Sequence, residues 1–422
     1  MRIAIIGSGI SGLGAAISLA ALPGIEIVVY EKDARAGGHA NTIDVDYAGR
    51  SIAVDTGFIV YNELNYPNLT ALFDWAGVET IASDMSFALS SDDGGFEWCG
   101  RHTAPLRGLF AQAANALDPG FYRFLLGIRR FQNCAIADVA ANRIGSETLA
   151  EYLAARGVPD RVRDDYVVPM GAAIWSMTPG ETLAFPARSF IAFFDNHKLL
   201  QWDRPRWRTV KGGSRNYTTR LRAGLGGAVR LATPVALLRR DGDGVVVRDS
   251  AGHEDRFDAA ILATHAPTAL ALLSDADKTE RDVLGAFRVS NNSVVVHRDA
   301  ALMPRRRGAW AAWNMLRRQG GDKAAVTYWM NCLQALPDDC PLFVTLNPDR
   351  DIDPKAVFAT IAYDHPVYDA AAIAAQARLK SIQGKNRVYF AGAWTGYGFH
   401  EDGLRSGLDA AHALGGMAPW QR

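Results

Sequence analysis

The chain has few cysteines and no paired cysteine motif. Its 422 residues include only Cys99, Cys134, Cys332 and Cys340, and none of them forms a C-x-x-C or C-x-x-H pattern. Those patterns are typical of zinc sites, and dense cysteines are typical of small secreted domains held by disulfides. We therefore expect no metal site and a reducing, cytoplasmic compartment.

An excess of charge of either sign is also missing. Lys and Arg number 45, and Asp and Glu number 45, so the formal net charge is zero. Because no global field attracts a polyanion, we expect no nucleic-acid partner, and any basic surface must be local. A hydrophobic share of 49% excludes a disordered chain, and the length allows two or three domains.

Long hydrophobic runs are nearly absent. Only residues 3–22 are free of charge over a length that could cross a membrane. Gly7, Gly9, Gly12 and Gly14 interrupt this run in its first part, where a membrane span needs unbroken helix. We expect neither a signal peptide nor a transmembrane helix here.

The same glycines form a dinucleotide-binding pattern. The G-x-G-x-x-G of Gly7, Gly9 and Gly12 follows the strand RIAIIG and opens a helix, and Glu31 ends the next strand 19 residues after Gly12. Such glycines let backbone N–H groups approach a pyrophosphate, while the carboxylate accepts ribose hydroxyls and repels a 2′-phosphate. The pattern does not distinguish NAD from FAD as the cofactor. Neighbouring residues predicted to bind the cofactor are Ile10, Ser11 and Lys32.

Segments of two different compositions alternate along the chain. Short strands and glycine turns dominate residues 1–80, 206–289 and 379–422, whereas 81–205 and 290–378 are richer in Trp, Phe, Arg and Pro. We interpret the first set as one discontinuous cofactor-binding domain. The second set is predicted to form an inserted substrate domain that faces a membrane.

The run RAGGHANT at 35–42, taken with the glycine turn, resembles the flavin-containing amine oxidase and phytoene desaturase superfamily. The resemblance implies FAD as the cofactor. Its pyrophosphate and ribityl chain would lie along Arg35, Gly37, Gly38 and His39, and His39 stands where relatives more often carry Arg. In VDTGFIVYN, Thr56 and Gly57 resemble a segment near the isoalloxazine ring, and Val235 matches a position whose backbone holds adenine.

The closing segment YFAGAWTGYGFHEDGLRSGLDAAHA resembles the superfamily's last motif, in which a helix start meets the flavin. The implied contacts are Gly392, Asp402, Gly403 and Leu404. Many relatives have Gly-Glu after the first Gly, but this chain has Ala393 and Trp394. The resemblance thus implies an α/β fold: a glutathione-reductase-like, FAD-binding Rossmann domain with an inserted mixed α+β substrate domain.

The whole chain is also similar to a bacterial branch found beside cyclopropane-fatty-acid-synthase-type methyltransferases, which includes a furan fatty acid pathway desaturase. This similarity implies an FAD-dependent desaturase of methyl-branched unsaturated acyl chains in membrane phospholipids, by hydride transfer to flavin N5. Amine oxidases of the superfamily commonly place a Lys on the strand that here reads VVVHRDAALMP, without Lys. An amine or amino acid oxidase, and a non-catalytic flavoprotein partner of a lipid-modifying methyltransferase, remain as alternatives.

Four residues are candidates for proton handling. They are His297, Tyr328, His365 and His400, with Asn314 as a network partner of Tyr328, and the sequence does not choose among them. An allylic C–H is weakly acidic, so late proton loss through a Tyr–Asn network needs no strong base.

Basic and aromatic residues alternate in 106–131 and 190–210, a composition that suits the surface of an anionic membrane. Arg298 and Arg305 to Arg307 are candidates for holding a phosphate or carboxylate headgroup. We therefore predict a cytoplasmic protein bound peripherally to the inner face of the membrane. The sequence identifies neither the electron acceptor nor the oligomeric state.

Overall fold

The fold begins with a parallel sheet, as the βαβ pattern predicts. A computed structural model describes residues 1–91, 93–101, 105–201, 205–317 and 325–421. Helices and strands are numbered along the chain. The sheet consists, in spatial order, of β10 (Val229–Arg230), β2 (Glu26–Tyr30), β1 (Arg2–Ile6), β14 (Ala259–Leu262) and β20 (Val388–Phe390). Its inner strands are almost wholly buried and apolar because helices or further strands cover both faces.

Two helices pack on this sheet through glycine. They are α1 (Ile10–Ala20) and α15 (His400–Ala413). A Cβ on Gly12 would collide with the carbonyl oxygen of Gly7, and a Cβ on Gly407 would collide with that of Ser11. Only glycine therefore permits the backbone-to-backbone contact that joins the first and last segments of the chain.

Smaller sheets and helices complete this part of the molecule. They are β3 (Thr42–Tyr47) with β4 (Arg50–Asp55), β5 (Val60–Asn62) with β9 (Trp207–Val210) and β6 (Thr80–Ala82), and the meander β11 (Val235–Asp241), β12 (Gly244–Asp249) and β13 (Glu254–Phe257). The helices are α2 (Pro67–Trp75), α10 (Arg215–Gly224), α11 (Ala266–Leu272), α12 (Lys278–Leu284) and α14 (Ala370–Gln376).

A seven-stranded mixed sheet forms the second part. Its spatial order is β19 (Val357–Val367), β15 (Arg288–His297), β18 (Phe343–Leu346), β17 (Ala325–Trp329), β16 (Trp313–Arg317), β7 (Phe87–Ser91) and β8 (Glu97–Gly100). The pair β16–β7 is parallel and the other pairs are antiparallel. The short helix α13 (Met330–Gln334) follows β17.

Helices with an aromatic core pack beside this sheet. They are α3 (Pro105–Leu109), α4 (Pro119–Ala140), α5 (Leu149–Ala155), α6 (Asp160–Val162), α7 (Val168–Trp175), α8 (Pro179–Ala184) and α9 (Ala187–Asn196). A π-helical turn, Arg163–Val167, joins α6 to α7. None of the described helices is long and apolar enough to cross a membrane.

The aromatic residues that suggested a membrane face are core residues instead. Phe121 and Phe124 of α4, and Phe190, Phe193 and Phe194 of α9, are at most 2% exposed. Composition could not show this, because it does not tell which face of a helix a side chain occupies. Trp202, from the same predicted surface, lies outside the described residues.

The predicted α/β fold is confirmed. The parallel sheet takes its strands from 1–80, 206–289 and 379–422, and most of the seven-stranded sheet comes from the other two segments. The exact domain boundaries stay a prediction.

The contact between α1 and α15 can be tested by Gly407→Ala. The added methyl must displace the Ser11 backbone, so we expect a loss of about 1–3 kcal/mol and a lower Tm. The matched control is Gly180→Ala in α8, where the added Cβ meets nothing within 4 Å. Thermal unfolding should show a change of less than about 1 kcal/mol for the control. Equal Tm values for both variants would contradict the packing argument.

Candidate functional site

Two glycine turns meet at the start of α1. The Gly37 N–H donates to the Ser8 carbonyl (2.9 Å), and a Cβ on Gly38 would lie 3.2 Å from the Gly9 Cα. The Arg35 guanidinium donates to the carbonyls of Gly38 (2.8 Å) and Ala40 (3.3 Å) and so holds the second turn in place. The structure thus brings together two turns that the sequence assigned separately to the cofactor.

The acidic end of β2 lies beside the first turn. The Glu31 carboxylate, 7% exposed, accepts from the Ser8 N–H (3.0 Å) and hydroxyl (2.6 Å), and from the Asp33 N–H (3.0 Å). The Thr233 N–H donates to the Glu31 carbonyl (2.8 Å). Val235 follows Thr233 by two residues in the chain. Lys32 is exposed and pairs with Asp33 (3.1 Å).

The C-terminal motif closes on the other side of α1. The Gly392 N–H donates to the Ser406 hydroxyl (2.8 Å), and a Cβ on Gly403 would lie 2.9 Å from Ile10 Cγ2 and 3.1 Å from Ser11 Oγ. Leu404 is fully buried, with its side chain against Gly14. Gly403 therefore lies against the start of α1, Leu404 packs further along that helix, and Gly392 is joined to them through Ser406 of α15.

The acidic residues at the start of α15 have structural partners. The Asp402 carboxylate accepts from the N–H groups of Tyr397 (3.0 Å) and Phe399 (3.1 Å) and from Arg405 (2.8 Å). The neighbouring Glu401 carboxylate accepts from the N–H groups of Asn68 and Leu69, at the start of α2 (both 3.0 Å). Asp402 therefore caps the start of α15 and Glu401 caps the start of α2. The contact of Asp402 with the cofactor stays a prediction.

Four histidines converge between these turns and β19. The ring of His39 lies 5.2 Å from Tyr363, 5.5 Å from His365 and 5.9 Å from His265, measured between centroids. We call His39, His265, His365 and His400 the histidine cluster. His400 contributes to the electrostatic field at His39.

The fourth member of the cluster is held by aromatic neighbours. His400 stacks on Phe58 at 3.7 Å, with an interplanar angle of 12°, and its Nε2 hydrogen-bonds to the Tyr217 hydroxyl (2.8 Å). Because one ring face and one nitrogen are fixed, the imidazole at the start of α15 has a defined orientation.

The histidine cluster is neutral at ordinary pH. Burial and the nearby histidines lower the pKa of His39 to about 3, and burial lowers the pKa of His400 to about 3 and that of His365 to about 4. The pKa of His265 is also lowered by burial. The Asp364 charge opposes this effect at His265 and His365 but does not overcome it. The cluster is therefore a polar surface without positive charge.

The segment Asp55 to Gly57 supports His39. A Cβ on Gly57 would collide with the His39 carbonyl, and the Phe58 N–H donates to that same oxygen (2.8 Å). The Thr56 hydroxyl hydrogen-bonds to the Tyr363 hydroxyl (2.7 Å). Burial raises the pKa of Asp55 to about 6, although its carboxylate accepts from the Ser214 N–H and hydroxyl. Thr56 and Gly57 thus connect β4 to the histidine cluster.

Three of the candidates for proton handling lie in the seven-stranded sheet. His297 Nε2 hydrogen-bonds to the Thr345 hydroxyl (2.7 Å), and its Nδ1 accepts from the Asp299 N–H (3.1 Å). The buried Asn314 amide donates to the carbonyls of Ala311 and Thr327. Tyr328 packs edge-on against Trp313. His297 and Asn314 use their polar atoms within the sheet, whereas His365 and His400 belong to the histidine cluster beside the cofactor-binding turns.

Sequence reasoning missed most of the histidine cluster's environment. His265, Tyr363, Phe58 and Tyr217 were not singled out as a group. The available signal was local: His265 directly follows the strand ILAT of the parallel sheet, at the strand end where ligands bind in such folds. Within the described ranges, no set of His, Cys, Asp or Glu side chains is arranged to hold a metal ion.

A family model described as "Flavin containing amine oxidoreductase" matches residues 10–296. A sequence comparison with curated proteins finds no significant match. Similar solved structures include a putrescine oxidase bound to putrescine (16% identity, TM-score 0.70, 98% of this chain and 99% of that chain). A CLA-producing fatty acid isomerase from P. acnes has 16% identity and a TM-score of 0.66, with 98% of both chains covered. Cyclohexylamine oxidase from Brevibacterium oxydans IH-35A has 17% identity and a TM-score of 0.70, again over 98% of both chains. At these identities the likeness is one of fold.

The residues at the α1 start fit a dinucleotide. A Cβ on Gly9 would meet no protein atom within 4 Å, in contrast to Gly7 and Gly12, whose Cβ positions are blocked by backbone. Free space beside a glycine at a helix N-terminus is what a pyrophosphate needs. With the family match, the prediction of FAD as the cofactor is confirmed.

Gly9→Ala separates cofactor binding from folding. The residue has φ −67°, an ordinary conformation for alanine, and free space for a methyl group, so the fold should be unchanged. The methyl group would instead occupy the pyrophosphate position. We expect purified wild-type protein to be yellow and to release FAD, and the variant to be colourless with unchanged circular dichroism. Stoichiometric FAD in the variant would show that the turn is only structural.

The neutral histidine cluster predicts loss of stability in acid. The unfolded chain protonates His400 below about pH 6.5, whereas the folded chain does so only near its lowered pKa. Stability is therefore full above about pH 6.5 and falls as the pH decreases toward the folded value. Changing His400→Gln, which keeps a hydrogen-bond partner for Tyr217, should reduce the loss between about pH 7 and about pH 5 by up to about 2 kcal/mol.

Urea unfolding at both pH values measures this difference. The exposed histidine of the β12–β13 turn supplies the control, as His253→Gln, which should lose as much stability as the wild type. The same loss in the His400 variant would show that this imidazole is not the acid-sensitive group.

Proposed function

The chain belongs to the flavin-containing amine oxidoreductase family and is an FAD-dependent oxidoreductase, and from this premise we propose that it desaturates methyl-branched unsaturated fatty acyl chains of membrane phospholipids. The observation that carries the proposal is the set of aromatic side chains that adjoin the histidine cluster. The histidine cluster is neutral, and aromatic side chains adjoin it.

The aromatic wall comes from the helices beside the seven-stranded sheet. Phe193 of α9 stacks on Phe399 at 5.0 Å, and the Trp175 indole N–H donates to the Tyr397 carbonyl (3.3 Å). Ser176, at the end of α7, hydrogen-bonds to His365 Nδ1 (3.1 Å). The helical layer thus contacts both the residues before His400 and the cluster itself. An apolar acyl chain suits such a wall, since burial of each methylene contributes about 0.8 kcal/mol.

Fewer features support an amine site than support an acyl site. Strand β15 carries no lysine. Trp394 is 2% exposed, and its indole N–H donates to the Thr264 carbonyl (2.9 Å). It therefore does not present a ring face to a substrate. Amine oxidation remains the second candidate because structurally similar proteins include oxidases of putrescine and cyclohexylamine.

The proposed reaction removes two hydrogens from neighbouring carbons and leaves a conjugated diene. Bound FAD supplies the acceptor for the hydride. Imidazoles whose pKa lies near 3 to 4 are too weak as bases to begin the reaction by removing a carbon-bound proton. The proton is instead lost late, and the His400 Nε2–Tyr217 hydroxyl pair provides a path for it away from the cluster.

We further propose that the protein works at the cytoplasmic face of the inner membrane, where its phospholipid substrates are available. A lipid-modifying methyltransferase would supply the methyl branch before this enzyme acts. A non-catalytic role beside such a methyltransferase is the outcome to be distinguished by experiment.

The test is anaerobic mixing of the holoprotein with phospholipids that carry methyl-branched unsaturated chains. We expect bleaching of the oxidised-flavin absorbance and a product lighter by two hydrogens in lipid mass spectrometry. Straight-chain saturated phospholipids serve as the matched control and should leave the flavin oxidised. Bleaching by a polyamine or amino acid alone would establish the amine oxidase instead. No bleaching by either class, together with tight binding to a methyltransferase, would establish the partner role.

A further inference from the structure

An open pocket with three arginines lies beside α3, away from the residues of the cofactor-binding turns. Its volume is about 560 Å³, and its lining consists of Arg101, Leu106, Arg107, Phe110, Arg307 and Gly308. The residues come from the end of β8, from α3 and from the turn before β16. A Cβ added to Gly308 would lie 3.4 Å from the Ala111 Cβ, so these segments are packed together.

The pocket carries positive charge that the protein offsets only in part. Arg307 lies over the rings of Trp310 (3.7 Å) and Trp329 (4.6 Å), and Arg101 donates to the Trp310 carbonyl. The Arg101 Nε is buried and has no hydrogen-bond partner among the described residues. Among the ion pairs of the described residues, none involves Arg101, Arg107 or Arg307.

The electrostatic environment agrees with this geometry. Burial and the charge of Arg101 lower the pKa of Arg307, and the charge of Asp338 only partly opposes them. A guanidinium in such surroundings gains from a bound anion.

Exposed leucines continue the surface next to the pocket. Leu106, within the pocket lining, is 69% exposed, Leu117 before α4 is 87% exposed, and Leu126 on α4 is 69% exposed. Tyr122, also on α4, lies 6.2 Å from Phe110, ring to ring, which connects the leucines to the pocket. We call Leu106, Leu117, Tyr122 and Leu126 the leucine face. Exposed apolar residues beside cations are typical of proteins that bind membrane surfaces.

We propose that the three-arginine pocket binds the phosphate of an anionic phospholipid headgroup while the leucine face enters the membrane interface. The guanidinium groups supply several N–H donors to the phosphate oxygens, and the leucines contact the upper acyl region. The exposed Arg123 and Arg130 of α4 add charge on the same helix. This inference deepens the proposed function, because it names the surface by which a lipid-oxidising enzyme reaches its substrate.

Cosedimentation of the holoprotein with vesicles tests the proposal. We expect binding to vesicles of equal parts phosphatidylglycerol and phosphatidylcholine, weaker binding to phosphatidylcholine alone, and a loss of affinity as salt increases. Arg107→Glu should weaken binding by at least about fivefold, the effect of about 1 kcal/mol for one cation. Its matched control, Arg248→Glu, changes an exposed arginine of β12 and should bind like the wild type.

A second pair of variants tests the leucine face without changing charge. Leu106→Ser should weaken vesicle binding, whereas Met417→Ser, at an exposed apolar residue near the C-terminus, should not. Flavin content should be equal in all four variants. The proposed function fails if the holoprotein binds vesicles but oxidises no lipid. The docking surface fails if the variants bind vesicles like the wild type, so the two failures are distinguishable.

Three results would overturn the proposal. The first is wild-type vesicle affinity in both Arg107→Glu and Leu106→Ser. The second is saturation of the pocket by inorganic phosphate without vesicle binding. The third is a concentration-dependent dimer that either variant dissociates, which would assign the face to a second copy of the chain.

Discussion

The site depends on backbone contacts that leave no room for a side chain. At Gly12, Gly57 and Gly407, a Cβ would collide with a carbonyl oxygen of another turn or helix. These contacts bring the first strand, the residues around His39 and the last helix to a single point. Gly9 is the exception, because its missing side chain leaves space that no protein atom fills. Glycine therefore has two roles here. At Gly12, Gly57 and Gly407 it lets backbone segments pack together, and at Gly9 it leaves space for a pyrophosphate.

The neutral histidine cluster follows from that convergence. His39 stands where a permanently charged arginine would bring a cation next to His265 and His365. Because burial keeps all of these imidazoles neutral, the fold avoids repulsion between like charges that are only 5 to 6 Å apart. The cofactor's phosphates must then be held by backbone N–H groups and by the dipole of α1, without a fixed positive charge from His39.

The cofactor-binding turns could be predicted because their information is local. The spacing of Gly7, Gly9, Gly12 and Glu31 lies within one βαβ unit, and backbone geometry requires those residue types. The histidine cluster could not be predicted in this way, since His39 and His365 are far apart in sequence and meet only when β19 is placed. Composition was also misleading for α9, whose phenylalanines belong to the core, and the acidic residues of α15 proved to be helix caps.

The two proposals rest on two surfaces that differ in charge, the histidine cluster and the three-arginine pocket. A chain with zero net charge has no long-range attraction to a membrane, so binding to anionic lipid requires cations concentrated in one place. The structure has such a concentration at Arg101, Arg107 and Arg307, outside the region where the histidines are neutral. A phospholipid is likewise divided into a charged part and an uncharged part, since its charge lies in the headgroup and its acyl chains carry none. A polyamine is charged at both ends and has no such division. The arrangement of charge therefore supports the proposed lipid substrate on grounds that do not depend on which residue accepts the proton.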